Sequence, residues 1–251
     1  MLLKNFFNKI NVVVIRVKKD FLKKYIIGLV LVALFCLGSL YLNKKDAPKE
    51  TSDTKFYDEY TAYNKKKNSS DKEYPSVDIA KNNLYYYITD SEIEELFNNG
   101  TGVLYLGFPT CPWCRNIVSV LNEAGEEYGI DKINYYNIKT IRSSFTFDDD
   151  NKLIKTDGNE IYTFLLEKLD KFLEDYSVTD NKGKTVKTGE KRIYAPSVVF
   201  IKEGVVKKVV EGTVDSQKDP YILLNEEQRK ELKDKYLEGF NTLADLCDEK
   251  C

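Results

Sequence analysis

Residues 104–114 read LYLGFPTCPWC, and their reading decides the fold. Val103, Leu104, Tyr105, Leu106 and Phe108 make a short apolar run of the length expected for a buried strand. Pro109 and Thr110 interrupt it, and Cys111 and Cys114 follow with only Pro112 and Trp113 between them. From Arg115 to Leu121 the apolar residues return at helical spacing. The two cysteines are therefore expected where a buried strand ends and a helix begins.

That placement has chemical consequences. Proline suits the first position of a helix, where its missing N–H costs nothing. Pro112 at that position makes Cys111 the N-cap, facing unpaired backbone N–H groups and the positive end of the helix dipole. Both favour thiolate over thiol, so the Cys111 pKa is expected below the free value of about 8.5. Arg115 adds a positive charge beside the pair and is expected to tune it further. Cys114 lies one helical turn on, within reach of a disulfide. Cys111 is the expected attacking thiolate and Cys114 the resolving thiol. The alternatives are a buried structural disulfide or half of a zinc site. Zinc needs four ligands, usually Cys or His, and the chain has five cysteines and no histidine. A CxxC placed between a strand and a helix favours redox chemistry.

Composition narrows the rest. The chain has 251 residues, enough for one domain with additions. Its 38 Lys and Arg stand against 40 Asp and Glu, intermixed along the length, so no nucleic-acid footprint is expected. The absence of histidine removes Ser-His-Asp and Cys-His catalysis. No metal and no organic cofactor are expected, since thiol chemistry needs neither.

Residues 1–24 are basic, with Leu3, Phe6, Phe7, Ile10, Val13, Val14 and Val17 at helical spacing. They read as an amphipathic cytoplasmic segment on an anionic membrane surface, with an unordered tail as the alternative. Residues 25–42, YIIGLVLVALFCLGSLYL, are uncharged and apolar. As a helix they span about 27 Å, close to a hydrocarbon core. No small-x-small cleavage site follows, so a single transmembrane helix is expected, with Cys36 inert inside it. The positive N-terminal side places the N-terminus in the cytoplasm and the remaining chain outside. Residues 43–76 are polar with few aliphatics and read as a flexible tether, with room for a short helix at Phe56, Tyr57, Tyr60 and Tyr63.

The folded domain is expected over residues 77–251. Residues 84–88 read as a strand, Thr89 with Glu92 as a helix cap, and residues 133–138 as a further strand. This β-α-β-α-β order implies an α/β fold with parallel central strands. Residues 139–191 interrupt the pattern with a polar loop, a helix expected over residues 159–176, and the turn Asp180-Asn181-Lys182-Gly183. In RIYAPSVVFI, residues 192–201, a strand forms over Val198 to Ile201 and pairs with residues 205–210 after a tight turn at Gly204. Pro196 marks a break or bulge, and a cis bond is a candidate. A final helix is expected over residues 226–248. Cys247 continues its buried stripe and Cys251 lies at i+4 from it. Outside the cytoplasm such thiols rarely stay reduced, so Cys247 and Cys251 are expected to form a structural disulfide, with a second redox pair feeding Cys111–Cys114 as the alternative.

With these residues in view, the chain resembles thioredoxin-fold proteins. VLYLGFPTCPWCRNIVSVL matches their redox pair, and YAPSVVFIKEGVVKKVVEG their cis-proline strand and hairpin. The phrase GFPTCPWCR and the membrane segment are similar to membrane-anchored thioredoxin-family or bacteriocin transport accessory proteins of Gram-positive bacteria. The resemblance implies an α/β thioredoxin-like fold with a helical insertion before the cis-proline strand and an N-terminal single-pass transmembrane helix. It implies Cys111 as nucleophile, Cys114 as resolving cysteine, and Pro196 as the cis-proline that packs on the disulfide, with Trp113 and Ala195 beside it in substrate binding. The implied activity is thiol–disulfide exchange by a domain outside the cell membrane. The implied partners are thiol- or disulfide-containing secreted proteins or peptides and a membrane electron donor or acceptor. The alternative is a binding module of the same fold, for a secreted peptide or membrane complex, with a structural disulfide. Two departures stand out. Tyr105 occupies a position where many of these proteins carry a buried acid, and the 139–191 insertion is long.

Overall fold

The computed structural model describes residues 51–244. The expected basic segment, the transmembrane helix over residues 25–42, and Cys247 and Cys251 lie outside the described residues. Among the described residues no helix is long and apolar enough to cross a membrane.

In chain order, helix α1 (Ser52–Thr61) precedes strand β1 (Tyr85–Tyr87), α2 (Asp90–Asn98), β2 (Gly102–Gly107), α3 (Pro112–Tyr128) and β3 (Ile133–Asn137). A hairpin of β4 (Ser144–Phe147) and β5 (Leu153–Thr156) follows, then α4 (Glu160–Leu169) and a 3-10 turn at Asp170–Phe172. A second hairpin joins β6 (Asp175–Thr179) to β7 (Thr185–Lys191), before β8 (Ser197–Lys202), β9 (Val205–Glu211) and α5 (Glu226–Asn241). The central sheet is mixed, in the order β1-β3-β2-β8-β9. β1, β3 and β2 run parallel; β8 and β9 run antiparallel to their neighbours.

Local chemistry sets the element ends. Thr89 caps α2, its backbone N–H donating to Glu92 Oε2 at 2.8 Å while Glu92 N–H donates to Thr89 Oγ1 at 3.4 Å. Asn225 and Gln228 make the same reciprocal pair on α5, at 2.9 and 3.0 Å. α3 ends at Gly129, whose φ of 84° is a left-handed conformation that glycine adopts without strain.

The strand period of two divides the interior into two cores. Val103 and Tyr105 of β2, Tyr135 of β3, and Val198 and Phe200 of β8 face one side, covered by α1, α3 and α5. Leu104, Leu106, Val199 and Ile201 face the other, covered by α2 and α4. A strand covered on both faces reads as an unbroken apolar run, which is why residues 103–106 do. The sheet and α5 touch closely at Gly239, where an added Cβ would fall 2.4 Å from the Phe200 ring. Gly239→Ala is therefore expected to destabilise the domain by about 1–3 kcal/mol. A chemical-denaturation midpoint that drops with an unchanged m-value would show it.

Three expectations need correction. The stretch from Thr51 to Tyr74 is not a tether: it belongs to the same compact unit as the rest of the described chain. Phe56 and Tyr60 are fully buried, one turn apart on α1, and the Phe56 ring stacks on Tyr85 at 3.8 Å. Asn64 then fastens the return of the chain, donating to Val77 O at 2.9 Å and accepting from Val77 N–H at 2.8 Å. Two aromatic rings and a few well-placed amides supply the order that the low aliphatic content argued against. Second, the polar loop after residue 139 carries the β4–β5 hairpin. Third, the helix expected to reach Tyr176 ends at Leu169, and Tyr176 belongs to β6. Its ring meets Phe145 at 5.7 Å, and the Asn151 amide donates to Asp180 Oδ2 at 2.9 Å, so the two hairpins hold each other.

Candidate active site

β2 ends at Gly107 and α3 starts at Pro112, so the intervening turn presents Cys111 at the mouth of a helix. Cys111 is the N-cap, with extended φ and ψ of −88° and 117°. Its carbonyl accepts the first helical bond, from Arg115 N–H at 3.1 Å. Its sulfur accepts Cys114 N–H at 3.3 Å, one of the donors a helix start leaves unpaired. As a thiol it donates to Ala195 O at 3.4 Å. The two sulfurs are not bonded to each other; Cys111 is 6% exposed and Cys114 fully buried.

The pair is electrostatically asymmetric. The Cys114 thiol directed at Cys111 lowers the Cys111 pKa, opposed by burial and helped by the Cys114 and Trp113 N–H groups and the Arg142 guanidinium. Burial pushes the Cys114 thiol well up, and the Cys111 sulfur adds to that; the Phe108 N–H and the Tyr105 hydroxyl act in the opposite sense. The two thiols are thus shifted in opposite directions, Cys111 toward easier ionisation and Cys114 away from it.

Below Cys114 lies a floor of tyrosines. Tyr60, Tyr85, Tyr105, Tyr135 and Tyr236 are all buried, and burial drives each hydroxyl pKa upward, so all stay neutral. Tyr105 and Tyr60 share a hydroxyl–hydroxyl bond of 2.8 Å, and the Tyr105 ring stacks on Tyr135 at 5.3 Å. An added Cβ at Gly107 would fall 2.3 Å from the Tyr105 oxygen. The bare Gly107 backbone is what gives that hydroxyl its place beside the pair. The hydroxyl beside the pair is thus a neutral one tied to α1.

No family model, curated protein or solved structure matches this chain.

Of the residues expected around the pair, three are brought together with it. Trp113 and Ala195 both line one cavity of about 360 Å³ beside Cys111. The Ala195–Pro196 peptide bond is cis, and Pro196 is buried. Arg115 is the exception. Its side chain is only 1% exposed and its N–H groups point into the protein: Nε to Pro75 O at 2.6 Å, Nη1 to Tyr60 O at 2.7 Å and Pro109 O at 3.1 Å, Nη2 to Asn64 Oδ1 at 2.5 Å. Each helix residue turns the side chain by about 100°, so one step past Cys114 the direction has left the sulfurs. Arg115 thus fastens the stretch from Tyr60 to Pro75, a strap over the start of α3, and the guanidinium acting on Cys111 is that of Arg142.

Sequence reasoning missed Arg142 because it stands in the polar stretch after β3, far from the CxxC in sequence. Its guanidinium lies over the Phe108 ring at 5.2 Å. Tyr60 carried a faint signal, the aromatic spacing with Phe56. Among the described residues no group of three or more Cys, His, Asp or Glu is arranged to hold a metal ion.

Proposed function

We infer that this chain is a thiol–disulfide oxidoreductase of thioredoxin-like fold, held at the cell membrane with its catalytic domain on the outer side. The observation that carries the reading is the unequal pair at the α3 N-terminus: a cap-position Cys111 with lowered pKa above a fully buried Cys114. A mixed α/β sheet with the pair at the end of a central strand supports it.

Such a pair works in two steps. The Cys111 thiolate attacks a substrate disulfide; one new S–S bond forms and the departing substrate sulfur leaves as a thiolate. Cys114 then gives up its proton and attacks Cys111, forming the intramolecular disulfide and releasing the second substrate thiol. Two electrons pass to the substrate, and an external dithiol must return them. The dry tyrosine floor keeps Cys114 protonated until the mixed disulfide has removed the Cys111 anion that opposes its ionisation. Run backward, the same steps oxidise a substrate dithiol. The apolar, uncharged residues 25–42 and the basic residues before them support the membrane placement.

The test is insulin reduction with dithiothreitol as electron source. The wild-type protein is expected to accelerate it and Cys111→Ser to lose the acceleration. A wild-type rate equal to that of dithiothreitol alone, or full activity in Cys111→Ser, would overturn the reading in favour of a binding module.

A further inference from the structure

The cavity that begins at Trp113 and Ala195 continues to Tyr194, Glu211, Asp215 and Gln217. Its volume of about 360 Å³ suits one long side chain rather than a whole peptide. Its acidic part is rich in acceptors, with the Thr213 hydroxyl among them able to donate as well as accept. Glu211 and Asp215 bring carboxyl groups. Gln217 is 8% exposed; its amide nitrogen is committed to Ile222 O at 2.8 Å, while its buried Oε1 has no hydrogen-bond partner. An unpaired buried acceptor costs about 1–3 kcal/mol, so a donor delivered there is rewarded.

The surroundings sharpen the preference. Burial raises the Glu211 carboxyl pKa and Glu174 adds to it, so a second negative group stands nearby. Arg192, the cation that acts on Tyr194 beside the cavity, is already engaged: it donates to Ser143 O at 3.1 Å and lies 4.4 Å from the Tyr176 ring centre. No ion pair ties down Glu211 or Asp215 among the described residues.

Resting on the oxidoreductase reading, we propose that this cavity is a specificity pocket for a lysine or arginine side chain flanking the reactive cysteine of a disulfide-bearing polypeptide. The cation meets Glu211 and Asp215, and its N–H groups satisfy Gln217 Oε1. The Cys111 sulfur, 3.4 Å from the Ala195 carbonyl that edges the cavity, is then placed for attack on the neighbouring disulfide.

The test uses a set of short fluorescent peptides, each disulfide-linked through one cysteine. Lys, norleucine or Glu is placed at each of the two positions on either side of that cysteine. Reduction by the full chain is divided, for each protein variant, by its rate on uncharged hydroxyethyl disulfide. At one position the Lys peptide is expected to exceed the Glu peptide by about tenfold or more, with norleucine between them. The double variant Glu211→Gln, Asp215→Asn is expected to erase that ordering, and about 1 M salt to compress it. Equal rates for the three peptides at every position, or an ordering that survives in the double variant, would overturn the pocket while leaving the oxidoreductase reading intact. No exchange with any peptide and none with hydroxyethyl disulfide would overturn that reading, and the pocket with it.

Discussion

At pH 7, iodoacetamide is expected to alkylate Cys111 of the reduced protein about a hundredfold faster than Cys114. Two effects multiply. The reagent reacts with thiolate, and the Cys111 pKa is lowered, first by the Cys114 thiol directed at it and then by N–H groups and Arg142. The Cys114 pKa is raised, first by burial. The reagent must also reach the sulfur: Cys111 is 6% exposed and Cys114 not at all, so Cys114 reacts only when the structure opens locally. The sign of the pH dependence follows. A lowered thiol pKa means that the anion is already present at lower pH, so the Cys111 rate profile reaches half-maximum below the free-thiol value of about 8.5. Arg142→Met is expected to move that midpoint upward, because a positive charge that favours the anion is gone. Mass spectrometry of timed alkylation reads both. Equal rates at the two sulfurs would remove the physical basis for assigning them different roles.

Arg115→Ala is expected to cost about 3–5 kcal/mol of folding stability, among the larger effects a single substitution has. The guanidinium satisfies Pro75, Tyr60 and Pro109 carbonyls and the Asn64 amide oxygen at once, in a site that is 1% exposed to solvent. Truncation leaves those acceptors facing a cavity. For a domain of this size the loss lowers the melting temperature by about 10 °C. Arg115→Lys keeps a charge but not the planar fork, and an ammonium cannot reach the same four acceptors, so most of the loss is expected to remain. A melting temperature within 2 °C or so of wild type for Arg115→Ala would mean that the strap is held by its aromatic rings alone.

The two arginines near the pair show how far the sequence could be read. The strand, the turn, the N-cap cysteine and the start of the helix that follows were legible, because each depends on its immediate neighbours: apolar burial and a proline at the first helical position. The β8–β9 hairpin and the Thr89–Glu92 capping box were legible for the same reason. What a long side chain reaches is not a local property. Arg115 sits beside Cys114 in sequence and turns away from it; Arg142 is distant in sequence and acts on Cys111. The strap was misread on composition, since a rule that counts aliphatics overlooks Phe56 and Tyr60, which make up for few aliphatics with ring area. The β4–β5 and β6–β7 hairpins were missed because none of their side chains is fully buried, so the alternation of β4 and β7 carries little apolar contrast.

Tyr60 has two duties: its carbonyl accepts from Arg115 and its hydroxyl bonds Tyr105 under the redox pair. Elements of a folded domain can fray locally without global unfolding. Here fraying has a chemical address. Release of α1 would lift Tyr60 out of the floor and let water in beneath the buried Cys114 sulfur. Opening of the strap is therefore expected to open a way to the resolving thiol, and slow alkylation of Cys114 then reports on both.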